Sequence, residues 1–142
     1  MEKKVKIVAE TAPALPNQSQ AIRCENLVYV SGQSGRDPVT GSLAEGLDAQ
    51  TERMLANLDS ILAAAQCSKK DIVVVRLMFS DIGHFKRVDE IYAQWSPPRD
   101  TIPLPACNAF ASKNLPGGAL VQIDDLGRGR GAPASGVENP PR

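Results

Sequence analysis

Residues 72–79 read IVVVRLMF, a nearly continuous run of apolar and mostly β-branched side chains that only Arg76 interrupts. Such a run is typical of a central strand covered on at least one face, because a buried strand need not alternate with polar residues. This stretch therefore predicts the middle of a sheet. The segments on either side of it predict what packs on that sheet.

Two helices are predicted, one before this strand and one after it. The first runs from about Asp48 to Ala65, where apolar residues recur at intervals of three and four and form one buried stripe. That stripe consists of Met54, Leu55, Leu58, Ile61, Leu62 and Ala65. The second runs from about His84 to Trp95, and its apolar face consists of Phe85, Val88, Tyr92 and Trp95. Both helices can bury one face against the sheet.

Shorter strands are predicted toward both ends of the chain. Residues 4–8 alternate charged and apolar side chains, as an edge strand does, and a connecting loop follows from Ala12. Residues 27–30 form a β-branched and aromatic run that ends in Ser31, Gly32 and Gln33, and residues 37–41, DPVTG, predict a turn. Four prolines among residues 96–105 predict a stiff loop. Beyond it, residues 106–111 and 119–123 predict two strands joined as a hairpin.

This pattern predicts an α+β fold in which two helices cover one face of a mixed sheet. The other face stays uncovered, and an apolar uncovered face favours association between subunits. The structured domain is expected over residues 1–126. Residues 127–142 are rich in glycine and proline, so this tail is expected to be disordered or to order only on a neighbour.

The composition of the chain restricts the classes of function that the protein can have. The 142 residues suit one domain, and 16 basic residues against 16 acidic ones give no bias toward a polyanion, so nucleic acid is not favoured as a partner. The charged amino terminus is unlike a signal peptide, and no apolar run reaches the length of a membrane span. Three widely spaced cysteines and one histidine fit neither a disulfide scaffold nor a structural zinc site. A soluble cytoplasmic protein without cofactor or metal is expected.

The order of these segments and several short motifs resemble the RidA/YjgF family over about residues 8–126. The matching motifs are Ala12-Pro13, Tyr29-Val30-Ser31-Gly32-Gln33, Asp37-Pro38-Val39-Thr40-Gly41, Gln50, Asn57, Asp71-Ile72-Val73, Asp81-Ile82, Tyr92, Cys107 and Leu115-Pro116. The resemblance implies a chorismate-mutase-like fold, a homotrimer, and a small-molecule cleft at each subunit interface. It places Cys107 in that cleft, and the matching Tyr92 is expected to bind substrate. Ser31 and Gly32 offer a hydroxyl and backbone N–H groups at a strand end, which suit polar contacts to a ligand.

Four positions depart from the pattern of family members that hydrolyse imines. Those members carry an arginine two residues before the matched cysteine, where it holds the substrate carboxylate; here that position is Pro105. The family's cleft asparagine matches Asp89, its tyrosine matches Gln18, and its water-activating glutamate matches Asp124. A bidentate guanidinium–carboxylate pair is hard for another residue to copy. The resemblance thus implies a cleft that has lost a cation and gained acid.

Several functions remain open. One hypothesis is an enzyme acting on a reactive imine, enamine or related small metabolite, with Asp124 as general base and Cys107 as a second catalytic group. Hydrolysis of 2-iminobutanoate or 2-iminopropanoate is disfavoured. The alternatives are a repurposed cyclase or isomerase, and a non-catalytic trimer that binds a ligand or a partner. The family's ribonuclease activity finds little support in a neutral chain with few aromatic residues.

Each site residue also has a structural interpretation. Asp89 fits an exposed helix residue, Cys107 a small buried one, and Ser31 with Gly32 an ordinary turn. His84 fits a surface or capping residue. Arg36 and Arg99 are the loop cations considered as replacements for the missing arginine.

Overall fold

The computed structural model describes residues 3–129, which form six strands and two helices. In chain order these elements are β1 (Lys4–Ile7), β2 (Ala21–Cys24), β3 (Leu27–Gln33), α1 (Leu47–Ala64), β4 (Ile72–Phe79), α2 (Phe85–Trp95), β5 (Ala106–Ala111) and β6 (Val121–Arg128). The predicted strand at residues 72–79 and both predicted helices are confirmed, with helix ends within one residue of the prediction.

The strands form one mixed sheet in the order β1-β2-β3-β6-β4-β5. Neighbouring strands are antiparallel except β4 and β5, which are parallel. The apolar run of β4 therefore lies inside the sheet, hydrogen-bonded to a strand on each side, as its composition predicts. The α+β class of the fold is confirmed.

Both helices pack on one face of the sheet. The predicted stripe of α1 is buried, with Met54, Leu58 and Ile61 at 0% exposure, and Val88 of α2 is buried as fully. From the sheet, the residues that meet the helices are the alternate ones, including Val28, Val30, Val75, Leu77, Phe79, Val121 and Ile123. Burying each such side chain stabilises the fold by about 1.5–3 kcal/mol. We call this side the helix face and the opposite side the open face.

Two predictions about the strands are wrong. The segment after Ala12 is not only a loop, because Ala21–Cys24 forms β2 between β1 and β3. The predicted hairpin of the last two strands does not form: β5 pairs with β4, and β6 lies between β3 and β4. The last strand also continues through Gly127 and Arg128, beyond the predicted boundary at residue 126. Residues 130–142 of the predicted tail lie outside the described residues, and that division of the chain stays a prediction.

Side-chain amides fix the loop that follows β3. Asn57 of α1 donates from Nδ2 to the carbonyl oxygens of Ser34 (3.2 Å) and Arg36 (2.9 Å). Gln50 donates to the carbonyl of Ala44 at 3.0 Å. Gly35 lies so close to the Gln50 backbone that a Cβ would come within 2.4 Å of the carbonyl oxygen. The loop is therefore held against the start of α1.

The predicted DPVTG turn is confirmed. The Asp37 carboxylate accepts from the backbone N–H groups of Val39 (2.8 Å) and Thr40 (2.9 Å), and these hydrogen bonds lower the pKa of Asp37. Gly41 closes the turn with φ of 77°, a conformation that favours glycine. Within residues 3–129, neither helix is long and apolar enough to cross a membrane.

Candidate functional site

One group of predicted site residues gathers where β5 begins beneath α2. Cys107 stands beside Val75 in the parallel register of β4 and β5. Since Val75 is buried on the helix face and partners in register point the same way, Cys107 also faces α2. From α2, Asp89 and Tyr92 lie one helical turn apart and both act electrostatically on this region. We call Asp89, Tyr92 and Cys107 the thiol pocket.

The charges that act on the thiol pocket are negative. Burial, and then Cys107, Asp125 and Asp89, raise the pKa of Tyr92 to about 12. Partial desolvation, and then Asp89, raise the pKa of the Cys107 thiol. Cys107 is exposed along the edge strand, in contrast to the buried position that a structural role predicts. At neutral pH both groups hold their protons, so the pocket presents a thiol and a phenol beside carboxyl groups.

Asp125 belongs to this pocket, and reasoning from the sequence missed it. It stands between Val30 of β3 and Val75 of β4, both fully buried on the helix face. The residue is 2% exposed, and neither carboxyl oxygen has a hydrogen-bond partner. Burial, and then Asp124, raise its pKa to about 7. The alternation of β6 is the signal that separates Asp125 from Asp124, since consecutive strand residues point to opposite faces.

Asp124 lies on the open face, away from the thiol pocket. Arg76 stands beside it in the β4–β6 register and donates to both carboxylate oxygens, from Nε at 2.9 Å and Nη2 at 2.8 Å. Nη2 also donates to the Tyr29 hydroxyl at 3.0 Å. Both oxygens of the buried Asp124 carboxylate therefore accept hydrogen bonds from Arg76. Its assignment as general base stays a prediction.

A second group of predicted residues lies around the end of β3, from which β6 and β4 separate β5. Ser31 donates from its hydroxyl to the Ser19 carbonyl at 2.7 Å, and its N–H donates to the Gln20 carbonyl at 2.9 Å, so the segment carrying Gln18 runs beside β3. The Gln20 side chain ties that segment to Ala9 and Pro13. Gln18 lines a surface cavity of about 340 Å³ there.

Gly32 adjoins a polar side chain that the sequence alone did not single out. A Cβ at Gly32 would come within 2.3 Å of Nε2 of Gln122, the side chain that overlies it. Gln122 shares the open face with Asp124, two residues on. These groups lie near the carboxyl end of β4, three register positions from the thiol pocket.

Pro105 lies just before β5, half-buried in a groove of about 530 Å³. The groove is lined by Lys70, Asp71, Ile72, Val73, Ile102, Pro103, Leu104, Pro105, Arg128 and Gly129. The groove is lined by two cationic side chains, Lys70 and Arg128, whereas the thiol pocket contains the carboxyl group of Asp89.

The two arginines considered as replacements for the missing arginine lie in different surroundings. Arg36 donates to the Gly41 carbonyl at 2.9 Å, and its guanidinium lies against Gly117, beyond the far end of β5 from Pro105. Arg99 is exposed in the Pro-rich loop. His84 begins α2 without a side-chain capping bond, and its Nδ1 is buried without a hydrogen-bond partner.

The described chain therefore separates the predicted site into two groups. The thiol pocket lies on the helix face of β5, and Ser31, Gly32 and Gln18 lie around the end of β3, from which β6 and β4 separate β5. Among residues 3–129, no three His, Cys, Asp or Glu side chains gather as a metal ion would require. The thiol pocket offers hydrogen-bond donors, an aromatic ring and anionic groups, which suit a small cationic or neutral polar molecule.

Comparison with known proteins agrees with the fold. The family model described as endoribonuclease L-PSP matches residues 9–126. A RutC family protein of Leuconostoc mesenteroides subsp. cremoris is 40% identical over 126 residues, which cover 87% of this chain and 96% of that protein. The 2-iminobutanoate/2-iminopropanoate deaminase of Homo sapiens is 32% identical over 123 residues, covering 86% and 87%.

A solved structure gives the same result. RidA from the Antarctic bacterium Psychrobacter sp. PAMC 21119 has a TM-score of 0.82 and 34% identity, covering 87% of this chain and 98% of that one. The family model, the sequence relatives and the sheet topology agree, and this chain belongs to the endoribonuclease L-PSP family, the family of the RidA/YjgF proteins.

Proposed function

We propose that this protein acts on a small reactive imine, enamine or related metabolite, and that its cleft selects a cationic or neutral molecule over a carboxylate. The observation that carries the proposal is the charge of the thiol pocket. Asp89 acts on both Tyr92 and Cys107 there, and Asp125 acts on Tyr92. Pro105 occupies the position of the family's carboxylate-binding arginine. Relatives such as the human protein are named imine deaminases, which supports a reactive imine as the general class.

The sign of the charge decides between these ligands. At a separation of 4 Å, two like charges near a protein surface repel by about 4 kcal/mol with an effective dielectric constant of 20. A carboxylate beside Asp89 would pay this cost without the bidentate pair that offsets it elsewhere in the family. A protonated imine gains from the same field. Its hydrolysis consumes one water and yields a carbonyl compound and ammonium, so reactant and product are both cations.

The cleft is completed by a second copy of the chain in this proposal. The thiol pocket lies on the helix face of β5, whereas Gly32 of β3 adjoins Gln122 on the open face, and β6 and β4 separate the two strands. The open face carries Tyr29, Phe110 and Met78 beside the Arg76–Asp124 pair, and exposed apolar surface of this kind favours association. This surface supports the homotrimer that the resemblance implies.

Ammonia release from imines tests the proposed selectivity. 2-Iminobutanoate is generated in situ from the amino acid by an oxidase, and the imine of a neutral aldehyde and ammonia serves as the uncharged comparison. We expect this protein to leave ammonia release from 2-iminobutanoate at the uncatalysed rate and to accelerate the neutral imine. An arginine-bearing relative assayed in parallel is the positive control. A rate on 2-iminobutanoate comparable with that of the relative overturns the proposal.

A further inference from the structure

We propose that Asp125 is the buried counter-charge of the thiol pocket and releases its proton to solvent when a small cation binds there. This inference rests on the proposed function, because it requires that the pocket accepts a cation. It assigns a role to a carboxyl group that is not among the residues predicted for the cleft.

The register of three strands places Asp125 beside the pocket. Val75 of β4 has Asp125 of β6 on one side and Cys107 of β5 on the other. All three side chains point to the helix face, and adjacent strands lie about 4.8 Å apart, so the Cα atoms of Asp125 and Cys107 are about 10 Å from each other. Both groups act electrostatically on the phenol of Tyr92 from α2.

The Asp125 carboxyl has none of the partners that a buried carboxylate needs. It is 2% exposed and both oxygens are without hydrogen bonds, while its register neighbours Val30 and Val75 are aliphatic. A buried carboxylate without a partner costs several kcal/mol, so the ligand-free group stays protonated instead. The unmet hydrogen-bonding capacity of such a group points to a ligand, because buried polar atoms in proteins are ordinarily satisfied.

The surrounding groups do not supply the missing charge. The titratable groups that interact electrostatically with Asp125 are Tyr92 of α2 and Asp124, next to it on β6, while Asp89 of α2 and Cys107 of β5 act on Tyr92. The buried residues of α1 are uncharged. Ionisation of Asp125 therefore adds negative charge to a site that is already acidic, so the carboxylates repel one another. A cation held by Asp89 and the Tyr92 ring relieves that repulsion.

Its raised pKa, about 7, gives this coupling a measurable pH window. Below that value the carboxyl is protonated and must lose its proton before it can pair with a cation. Above it the carboxylate already exists. The apparent affinity for a cation is then expected to rise about tenfold per pH unit below pH 7 and to level off above it.

Calorimetric titration with n-butylammonium measures the released proton directly. The wild-type protein is titrated at pH 6 and pH 8.5, each in two buffers of different ionisation enthalpy, and the butylammonium ion keeps its own proton throughout because amines titrate near 10.4. We expect about one proton released per bound cation at pH 6 and close to none at pH 8.5. The exposed-acid variant Glu52→Gln is expected to behave like the wild type, and Asp125→Asn is expected to bind about tenfold more weakly at pH 8.5 without proton release at either pH.

The outcomes separate this inference from the proposed function. Binding at pH 6 without proton release overturns the role of Asp125 and leaves the cationic preference standing. Proton release that persists in Asp125→Asn assigns the proton to another group and also overturns the inference. Failure of butylammonium to bind at either pH overturns this inference, whereas the ammonia-release assay decides the proposed function. The wild-type titrations decide the matter even if the variant fails to fold.

Discussion

The guanidinium of Arg76 donates to both oxygens of the Asp124 carboxylate, at 2.9 Å from Nε and 2.8 Å from Nη2. The two residues face each other across β4 and β6 on the open face, and the hydrogen bonds with Asp124 raise the pKa of Arg76. Bidentate pairs of this geometry are among the stronger ionic contacts in proteins. Asp124 is thereby engaged, whereas its neighbour Asp125 on the other face has no hydrogen-bond partner.

Replacing Arg76 should destabilise the fold measurably. Arg76→Met leaves the Asp124 carboxylate, whose side chain is 10% exposed, without its partner, and we expect a loss of about 1–3 kcal/mol in the free energy of unfolding. Urea denaturation measures it. Arg87→Met is the matched control, because Arg87 pairs with Asp48 and Glu90 on the exposed surface, where such pairs contribute about 0.2–1 kcal/mol. Equal losses in the two variants would contradict a structural role for the Arg76–Asp124 pair.

Stability should depend on pH through Asp125. Its folded pKa of about 7 lies above the ordinary 3.8, so between these values the folded state holds a proton that the unfolded state has lost. Ionisation of Asp125 thus lowers stability as pH rises through this window, by about 1.4 kcal/mol per unit at most, and the penalty is constant above pH 7. The Asp125→Asn variant lacks this pH-dependent contribution to the free energy of unfolding. Its stability relative to wild type should increase from pH 4 to pH 7 in urea denaturation series, and a difference that is independent of pH would show that Asp125 does not titrate in this way.

Restoring the arginine should restore carboxylate binding. Pro105→Arg places a guanidinium where the family holds its substrate carboxylate, and we expect at least a tenfold gain in affinity for butyrate, measured by calorimetry. Combining it with Asp89→Asn removes the opposing charge and should increase the gain. Pro103→Arg adds the same charge two residues earlier in the same exposed loop. If Pro103→Arg raises butyrate affinity as much, general charge rather than a specific site is responsible.

The pH dependence of Cys107 alkylation measures how strongly the Asp89 carboxylate affects the pKa of the thiol. Desolvation and the Asp89 carboxylate both raise the pKa of the thiol above the ordinary 9.0, so iodoacetamide should react slowly at neutral pH and half-maximally only above pH 9.0. In Asp89→Asn the midpoint should move down, because one of the two causes is removed. Mass spectrometry of the peptide containing Cys107 follows the reaction without interference from Cys24 and Cys67. An unchanged midpoint in Asp89→Asn would place Asp89 outside the pocket.

The sequence predicted the elements whose pattern is long and regular. The strand is predicted by the apolar run at residues 72–79, and the first helix by the apolar stripe from Met54 to Ala65. In both segments the spacing of the apolar residues shows which side chains are buried. The four residues of β2, Ala21–Cys24, include Arg23 and are too short to show a period. The parallel pairing of β4 with β5 joins distant segments, and nothing in the composition of residues 106–111 distinguishes it from a hairpin.

The site was predicted less completely, for a geometric reason. The resemblance selected residues by position along the chain, and it brought together Cys107, Tyr92 and Asp89, which the fold also brings together. It could not show that Ser31 and Gly32 lie on β3, from which β6 and β4 separate Cys107. It also directed attention to Asp124, whereas the unpartnered acid is Asp125. Strand alternation separates the two faces only once the pairing of β6 with both β3 and β4 is established.

Co-crystallisation with n-butylammonium and, separately, with benzoate tests the central claim most directly, because it shows where each charge binds. The proposed function predicts butylammonium in the thiol pocket beside Asp89 and Tyr92, and no benzoate in that pocket at the same concentration. Benzoate bound beside Cys107, with its carboxylate held by Arg36, Arg99 or any other cation, would contradict the claim that the charge preference of this cleft has reversed.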